Sequence, residues 1–189
     1  VAAKAADNIR PAGKVPMAHY NVFGALLLSA AAPAAAAGNA DAVDAYMSEA
    51  AVVALHYAHG DRHDYETSFG RSQLEMQRAH QCAVLGKSDV ALKAAGKVAR
   101  PDLRAISWGA LHLDVAQAAL AMRGKARVAV KALLTAYGVS PEWAKHQGLW
   151  RDAAATAIRA DRSDAAKRLE AAAGLGLRRP PAYTGDLTI

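Results

Sequence analysis

Ala37-Gly38-Asn39-Ala40-Asp41-Ala42-Val43, Leu85-Gly86-Lys87-Ser88-Asp89-Val90-Ala91 and Arg123-Gly124-Lys125-Ala126-Arg127-Val128-Ala129 are one pattern written three times. A fourth copy, Ala160-Asp161-Arg162-Ser163-Asp164-Ala165-Ala166, replaces the glycine with a polar turn. In each, the glycine supplies the φ > 0 stop of one helix and a polar residue after it starts the next. Small residues on both flanks let the two helices approach closely. The repeated unit is therefore a helical hairpin, and the chain is expected to be all-α: a right-handed array of antiparallel hairpins, a degenerate tetratricopeptide-like (TPR-like) solenoid. The joints are unevenly spaced, and further apart than the ideal repeat of about 34 residues.

The bulk composition agrees. At 189 residues one domain is the expectation, and a hydrophobic content of 53% is ample for a core. Much of that fraction is alanine, the best helix former because it loses no side-chain entropy on ordering. β-Branched and aromatic residues are sparse, and no stretch alternates with period two. A net charge of +6 and a pI near 9.6 invite a nucleic-acid reading. Against it, Lys and Arg are scattered singly between acids, and the pair Arg178-Arg179 runs into Pro180-Pro181. A solvated helical surface accounts for that pattern. Cys82 is the one cysteine, so no intrachain disulfide is possible, which suits a reducing cytoplasm.

Outward from the joints, the chain divides into a remnant helix and linker (1–15), an array (16–174) and a tail (175–189). Val1, Ala5 and Ile9 form one apolar stripe, ended by Pro11 and Gly13, with no partner helix before it. This reads as the second helix of a truncated hairpin, and the chain as a fragment of a longer protein. The first full hairpin runs from about Pro16 to Ala37 and from Asn39 to about His59, with Pro33 expected to kink its first helix. The segment Met17 to Ala37 superficially resembles a secretory signal. It lacks a preceding basic cluster and is too short and Ala-rich to span a bilayer, so it reads as a buried helix. A polar loop over Gly60–Thr67 follows. The next hairpins are Ser68–Leu85 with Ser88–Lys97, and Leu103–Arg123 with Lys125–Tyr137. Ser140, Pro141 and Glu142 are an N-cap, a first helical position and a first-turn acid, opening a helix to about Arg159. A closing helix spans Ser163–Ala173.

Catalytic chemistry finds little support. His56, His59 and His63 beside Asp61 and Asp64 have spacings that tempt a zinc reading, but Gly60 interrupts the helix and no Cys or Glu completes a motif, so no metal is expected. There is no nucleophile elbow, phosphate loop or dinucleotide fingerprint, and no catalytic residue or cofactor is expected. Cys82 reads as a small hydrophobe. Polar and aromatic residues on apolar helices carry more information. Gln73, Gln77 and His80 share a face with Met76; Trp108 and His112 lie one turn apart; Trp143, His146, Gln147 and Trp150 make a further stripe, in which the tryptophans read as core. If first helices line a concave surface, Gln73, Gln77, His80, Trp108 and His112 would face one groove suited to an amphipathic small molecule or a peptide.

Tyr20 to Leu28, the run Thr67-Ser68-Phe69-Gly70, Arg78-Ala79-His80 to Lys97 and Arg168-Leu169-Glu170 together resemble the C-terminal TPR-like region of actinobacterial XRE-type helix-turn-helix regulators. The resemblance implies an array that receives a signal and forms homodimers in the cytoplasm, while a separate N-terminal domain contacts DNA. It carries no ligand-binding motif. The expected function is a ligand-sensing, dimerising regulatory domain, with a groove-binding protein-interaction scaffold as the alternative. A stripe of Ala165, Leu169 and Ala172 offers one terminal face for the dimer, and no membrane contact is expected.

Overall fold

A computed structural model describes residues 1–57, 61–64, 67–100 and 103–175. Most of them are helical: α1 (Ala2–Asn8), α2 (Met17–Ala36), α3 (Ala40–Ala54), α4 (Arg71–Val84), α5 (Ser88–Ala95), α6 (Ala105–Leu120), α7 (Ala126–Val139), α8 (Pro141–His146), α9 (Gly148–Ala160) and α10 (Asp164–Ala173). Two three-residue strands, β1 (Arg62–Asp64) and β2 (Thr67–Phe69), lie between α3 and α4. Among the described residues no helix is long and apolar enough to cross a membrane. The expected tail falls, beyond Leu175, outside the described residues.

The glycine joints form as the pattern predicts. At Gly38 (φ +71°), the amide of Asn39 donates to the Ala34 carbonyl and that of Gly38 to Ala35, both at 2.9 Å. At Gly86 (φ +72°), Lys87 donates to Cys82 at 2.8 Å and Gly86 to Ala83 at 3.1 Å. Both turns thus satisfy the last carbonyls of the helix with a left-handed residue that only glycine adopts without cost. The restart differs. Asn39 caps α3 by accepting from the Ala42 amide at 3.0 Å, and Ser163 caps α10 through Ala166 at 3.3 Å, whereas Lys87 provides no side-chain cap for α5.

Each joint folds a pair: α2 packs on α3, α4 on α5, and α6 on α7. The first helices also touch in succession, α2 with α4, α4 with α6, and α6 with α9. Alanine lines these seams, with Ala31, Ala50, Ala116, Ala119, Ala129, Ala136 and Ala154 all fully buried. Pro33 sits inside α2, which continues to Ala36. Eight residues of α2 are buried, so the apolar segment that mimics a signal sequence is the spine of the first core. Trp150 anchors the last one, fully buried and donating its indole N–H to the Leu133 carbonyl at 3.1 Å, with Tyr137 stacked on it. Leu169 is fully buried in the same cluster, so the expected terminal stripe is not open to a second chain at that residue.

Two elements depart from the sequence expectation. The helix expected over Pro141–Arg159 is broken into α8 and α9 at Gln147, whose extended backbone (ψ 109°) precedes Gly148. Glycine's low helix propensity marks the place. The polar loop is also more ordered than its composition implies. Arg62, His63 and Asp64 pair antiparallel with Phe69, Ser68 and Thr67. So small a hairpin is unstable alone. Here the buried Asn21 of α2 reaches up to it, its amide within 3.2–3.4 Å of the Asp64 carbonyl, the Asp64 carboxylate and the Thr67 hydroxyl. Phe69 fills the space below, fully buried, its ring edge against Tyr57 and its tip lying where a Gly24 side chain would be.

That close approach makes a prediction. Gly24→Ala sets a methyl against the Phe69 ring and should cost about 1–3 kcal/mol in chemical denaturation. Combining it with Phe69→Leu, which frees the space, should recover part of that cost relative to additivity of the single variants. Additive losses would mean that the ring and Gly24 are not in contact.

Candidate functional site

Helix α4 carries the densest set of polar side chains on a half-buried helix. Its N-terminus is fixed by Asp61, whose carboxylate accepts from the backbone amides of Ser72 at 2.9 Å and Gln73 at 2.6 Å. This satisfies amides left unpaired in a first turn and sets the rotation of the helix. Leu74, Met76 and Ala79 then face the cores, and Gln73, Gln77, His80 and Gln81 occupy the remaining flank.

Gln73 and Gln77 line one wall of a groove of about 450 Å³ between α4 and α2. Ala25, Leu28, Ser29 and Ala32 form the opposite wall, and Thr67 and Ser68 of β2 close one end. A single turn further on, His80 leaves the groove lining and pairs with Asp114 of α6, its Nδ1 at 2.9 Å from the carboxylate. Asp114 is mostly buried and His80 about half exposed. The hydrogen bond to Asp114 holds the His80 imidazolium above its ordinary pKa, partly opposed by burial.

Trp108 and His112 meet each other, ring to ring at 4.5 Å and perpendicular. Arg100 lies 5.5 Å over the indole, and Trp108 packs against the central core cluster. Asp114 follows His112 by two residues, about 200° around a helix. The structure therefore places Gln73, Gln77 and His80 together along one flank of α4, and Trp108 with His112 on another side of α6. Among the described residues no hydrogen bond or ring contact joins the two sets. Both His112 nitrogens are buried without a hydrogen-bond partner, and desolvation holds its pKa down.

The other histidines disperse. His56 stacks on Tyr20 at 4.4 Å, and His63 bonds to the Ser68 hydroxyl at 2.6 Å. His59 lies outside the described residues. Among those described, no three His, Cys, Asp or Glu side chains converge as a metal set.

Two residues of the site were not singled out from the sequence. Asp114 is the one acid on the apolar α6, and a lone carboxylate on such a helix is the signal that it has a partner. Gln81 extends the Gln73, Gln77 spacing by another four residues and is nearly fully buried. Its Nε2 donates to Gln77 Oε1 at 3.4 Å and its Oε1 has no partner. Comparison with protein-family models, curated proteins and solved structures finds no match to the chain.

The two histidines of α4 and α6 oppose each other in pH dependence. His80, with its pKa raised by Asp114, contributes stability that is fully present below the unfolded value near ~6.5 and is lost as pH rises through the folded value. His112, held neutral by burial, imposes a cost that grows as pH falls below ~6.5. The stability gap between wild type and Asp114→Asn should therefore be widest below about pH 6.5 and narrow as pH rises through the raised His80 value. His112→Leu should lessen the loss on acidification across the same range. Denaturant titrations at several pH values test both, and a pH-independent gap for Asp114→Asn would remove the pair from the energetics.

Proposed function

We propose that this chain is the ligand-sensing and dimerising domain of a transcriptional regulator, built as a TPR-like array, with DNA contact made by a separate domain. The carrying observation is the α2/α4 groove: an apolar wall of Ala25, Leu28 and Ala32 faced by the two amides of Gln73 and Gln77. Its volume lies within the range of small-molecule sites, and apolar walls with a few oriented polar groups are the usual composition of such sites. Succession of α2, α4, α6 and α9 along one side supports the array reading, because first helices stacked in this way form the recognition surface of hairpin repeats. The His80–Asp114 pair ties α4 to α6 just past the groove, so an occupant that moves α4 acts on the next hairpin. The effector best suited is a small amphipathic molecule able to exchange hydrogen bonds with carboxamides.

Filling the groove tests this. Anilinonaphthalene sulfonate is the probe, and its fluorescence should rise on binding the parent chain. Ala32→Trp, which projects a large ring from the exposed rim of the apolar wall, should suppress that rise by about tenfold in affinity with an unchanged circular dichroism spectrum. Equal enhancement in the folded variant would dismiss the groove as a binding site.

Regulation by dimerisation makes a second expectation. With Leu169 buried, the first hairpin offers a terminal face in its place, where Val52 and Leu55 stand well exposed. In sedimentation at tens of micromolar (about the range that reveals micromolar association), the chain should run as a dimer. Duplex DNA should comigrate with it only at low salt and without sequence preference. A monomer under these conditions, or selective DNA binding at physiological salt, would overturn this part of the reading.

A further inference from the structure

A second cavity, of about 490 Å³, adjoins the next flank of α4, between α3 and the α4/α5 joint. Val43 and Met47 of α3 and Val90 of α5 give it an apolar side. Arg78 and Lys87 bring two cations to it, Asp44 brings one carboxylate, and Gln81 and Cys82 complete the α4 wall. One feature of these residues lacks an internal explanation, and their charges and apolar surface set what could answer it. Gln81 is 1% exposed, and its carbonyl oxygen has no hydrogen-bond partner. Leaving such an acceptor unpaired is costly, because the hydration it loses is not replaced. Lys87 forms no ion pair among the described residues, and Arg78 makes only a loose one, 3.7 Å from Glu75. Exposed apolar Val90 borders the same space instead of packing away.

One ligand chemistry answers all of these groups at once. A carboxylate suits Arg78 and Lys87, an ammonium suits Asp44 and, once the Gln81 amide turns toward the cavity, supplies the donor that its buried Oε1 lacks, and an aliphatic side chain suits Val43, Met47 and Val90. We infer that this cavity is a binding site for a small zwitterion, an apolar α-amino acid. A simple fatty acid would leave Asp44 and the Gln81 oxygen unanswered, and an amine would leave the two cations so. The site does not depend on the α2/α4 groove, which uses Gln73 and Gln77 and none of these residues. The two spaces share the Gln81–Gln77 hydrogen bond as a common wall.

The test uses L-leucine with the full chain, followed by calorimetry. L-Leucine should bind; isocaproate, lacking the ammonium, and isopentylamine, lacking the carboxylate, should each bind at least about tenfold more weakly. Gln81→Met keeps the volume and removes the amide. It should melt no lower than the parent, because a buried unpaired acceptor is removed, and lose about tenfold in leucine affinity. Lys87→Gln, at an exposed position, should weaken leucine in the same direction without touching the core. Cys82 gives an independent readout, because it is the one cysteine and lines the cavity. Burial pushes its thiol pKa up, against the pull of Lys87 and Arg78, so alkylation by iodoacetamide should be slow and become slower with leucine present. No leucine heat and no protection of Cys82 at ~1 mM ligand would overturn the inference. So would equal affinity for leucine and isocaproate, or leucine binding unchanged in both Gln81→Met and Lys87→Gln. Loss of dye binding in the groove variant with leucine binding intact would leave this site standing alone.

Discussion

Close approach of helices across alanine is the constraint from which the rest of the structure follows. Alanine buries little area, so each seam gains only modestly from the hydrophobic effect, at roughly 25 cal/mol per Å² of apolar surface. What alanine gives instead is proximity and low entropy loss, which let Ala31, Ala50, Ala116, Ala129 and Ala154 sit fully buried between neighbouring backbones. A fold built this way depends heavily on its few large side chains. Phe69 wedges the β-hairpin onto α2, and Trp150 joins α9 to α7 through both its ring and its indole N–H.

Much of this was legible in the residues. Glycine positions read correctly because a left-handed residue after a helix is a local requirement, set by sterics within five or six residues. The ends of α2, α4 and α6 followed from it within a few residues, and Ser140-Pro141-Glu142 marked the start of α8 for the same kind of local reason. The β-hairpin was not legible, since its six residues carry no alternation, and its order comes from Asn21, more than forty positions away in the chain. The break at Gln147–Gly148 was visible only as a single glycine, which a helix can also absorb.

The site divides along the same line. Spacing placed Gln73, Gln77 and His80 on one flank of α4, because that is geometry within one helix. It could not say how α4 and α6 are rotated against each other. That rotation brings Asp114, and not His112 or Trp108, to His80. A one-helix pattern fixes a face, and only the neighbouring helix determines what the face meets. Gln81 escaped notice for a related reason: as the third glutamine of an i, i+4 series it resembles solvated surface, and only tertiary packing buries it.

Unpaired polar atoms are not spread evenly over the described residues. The buried side-chain atoms without a hydrogen-bond partner belong to Asn21 of α2, Glu75 and Gln81 of α4, and His112 of α6. All four residues lie on the first helix of a pair, and none on α3, α5, α7 or the helices that follow. Unsatisfied groups of this kind are expensive, and in folded chains they concentrate where packing has been compromised for another purpose. The second helices are conventional supports, with Trp150 satisfied against α7 to hold the far end. The first helices keep buried polar groups that are only partly paired, even where, as at Asn21, the same side chain also orders a neighbouring segment. Local rules are broken along the row of helices that meet one another from hairpin to hairpin. On the sensing role proposed above, that row is where an occupant would find polar groups left to pair.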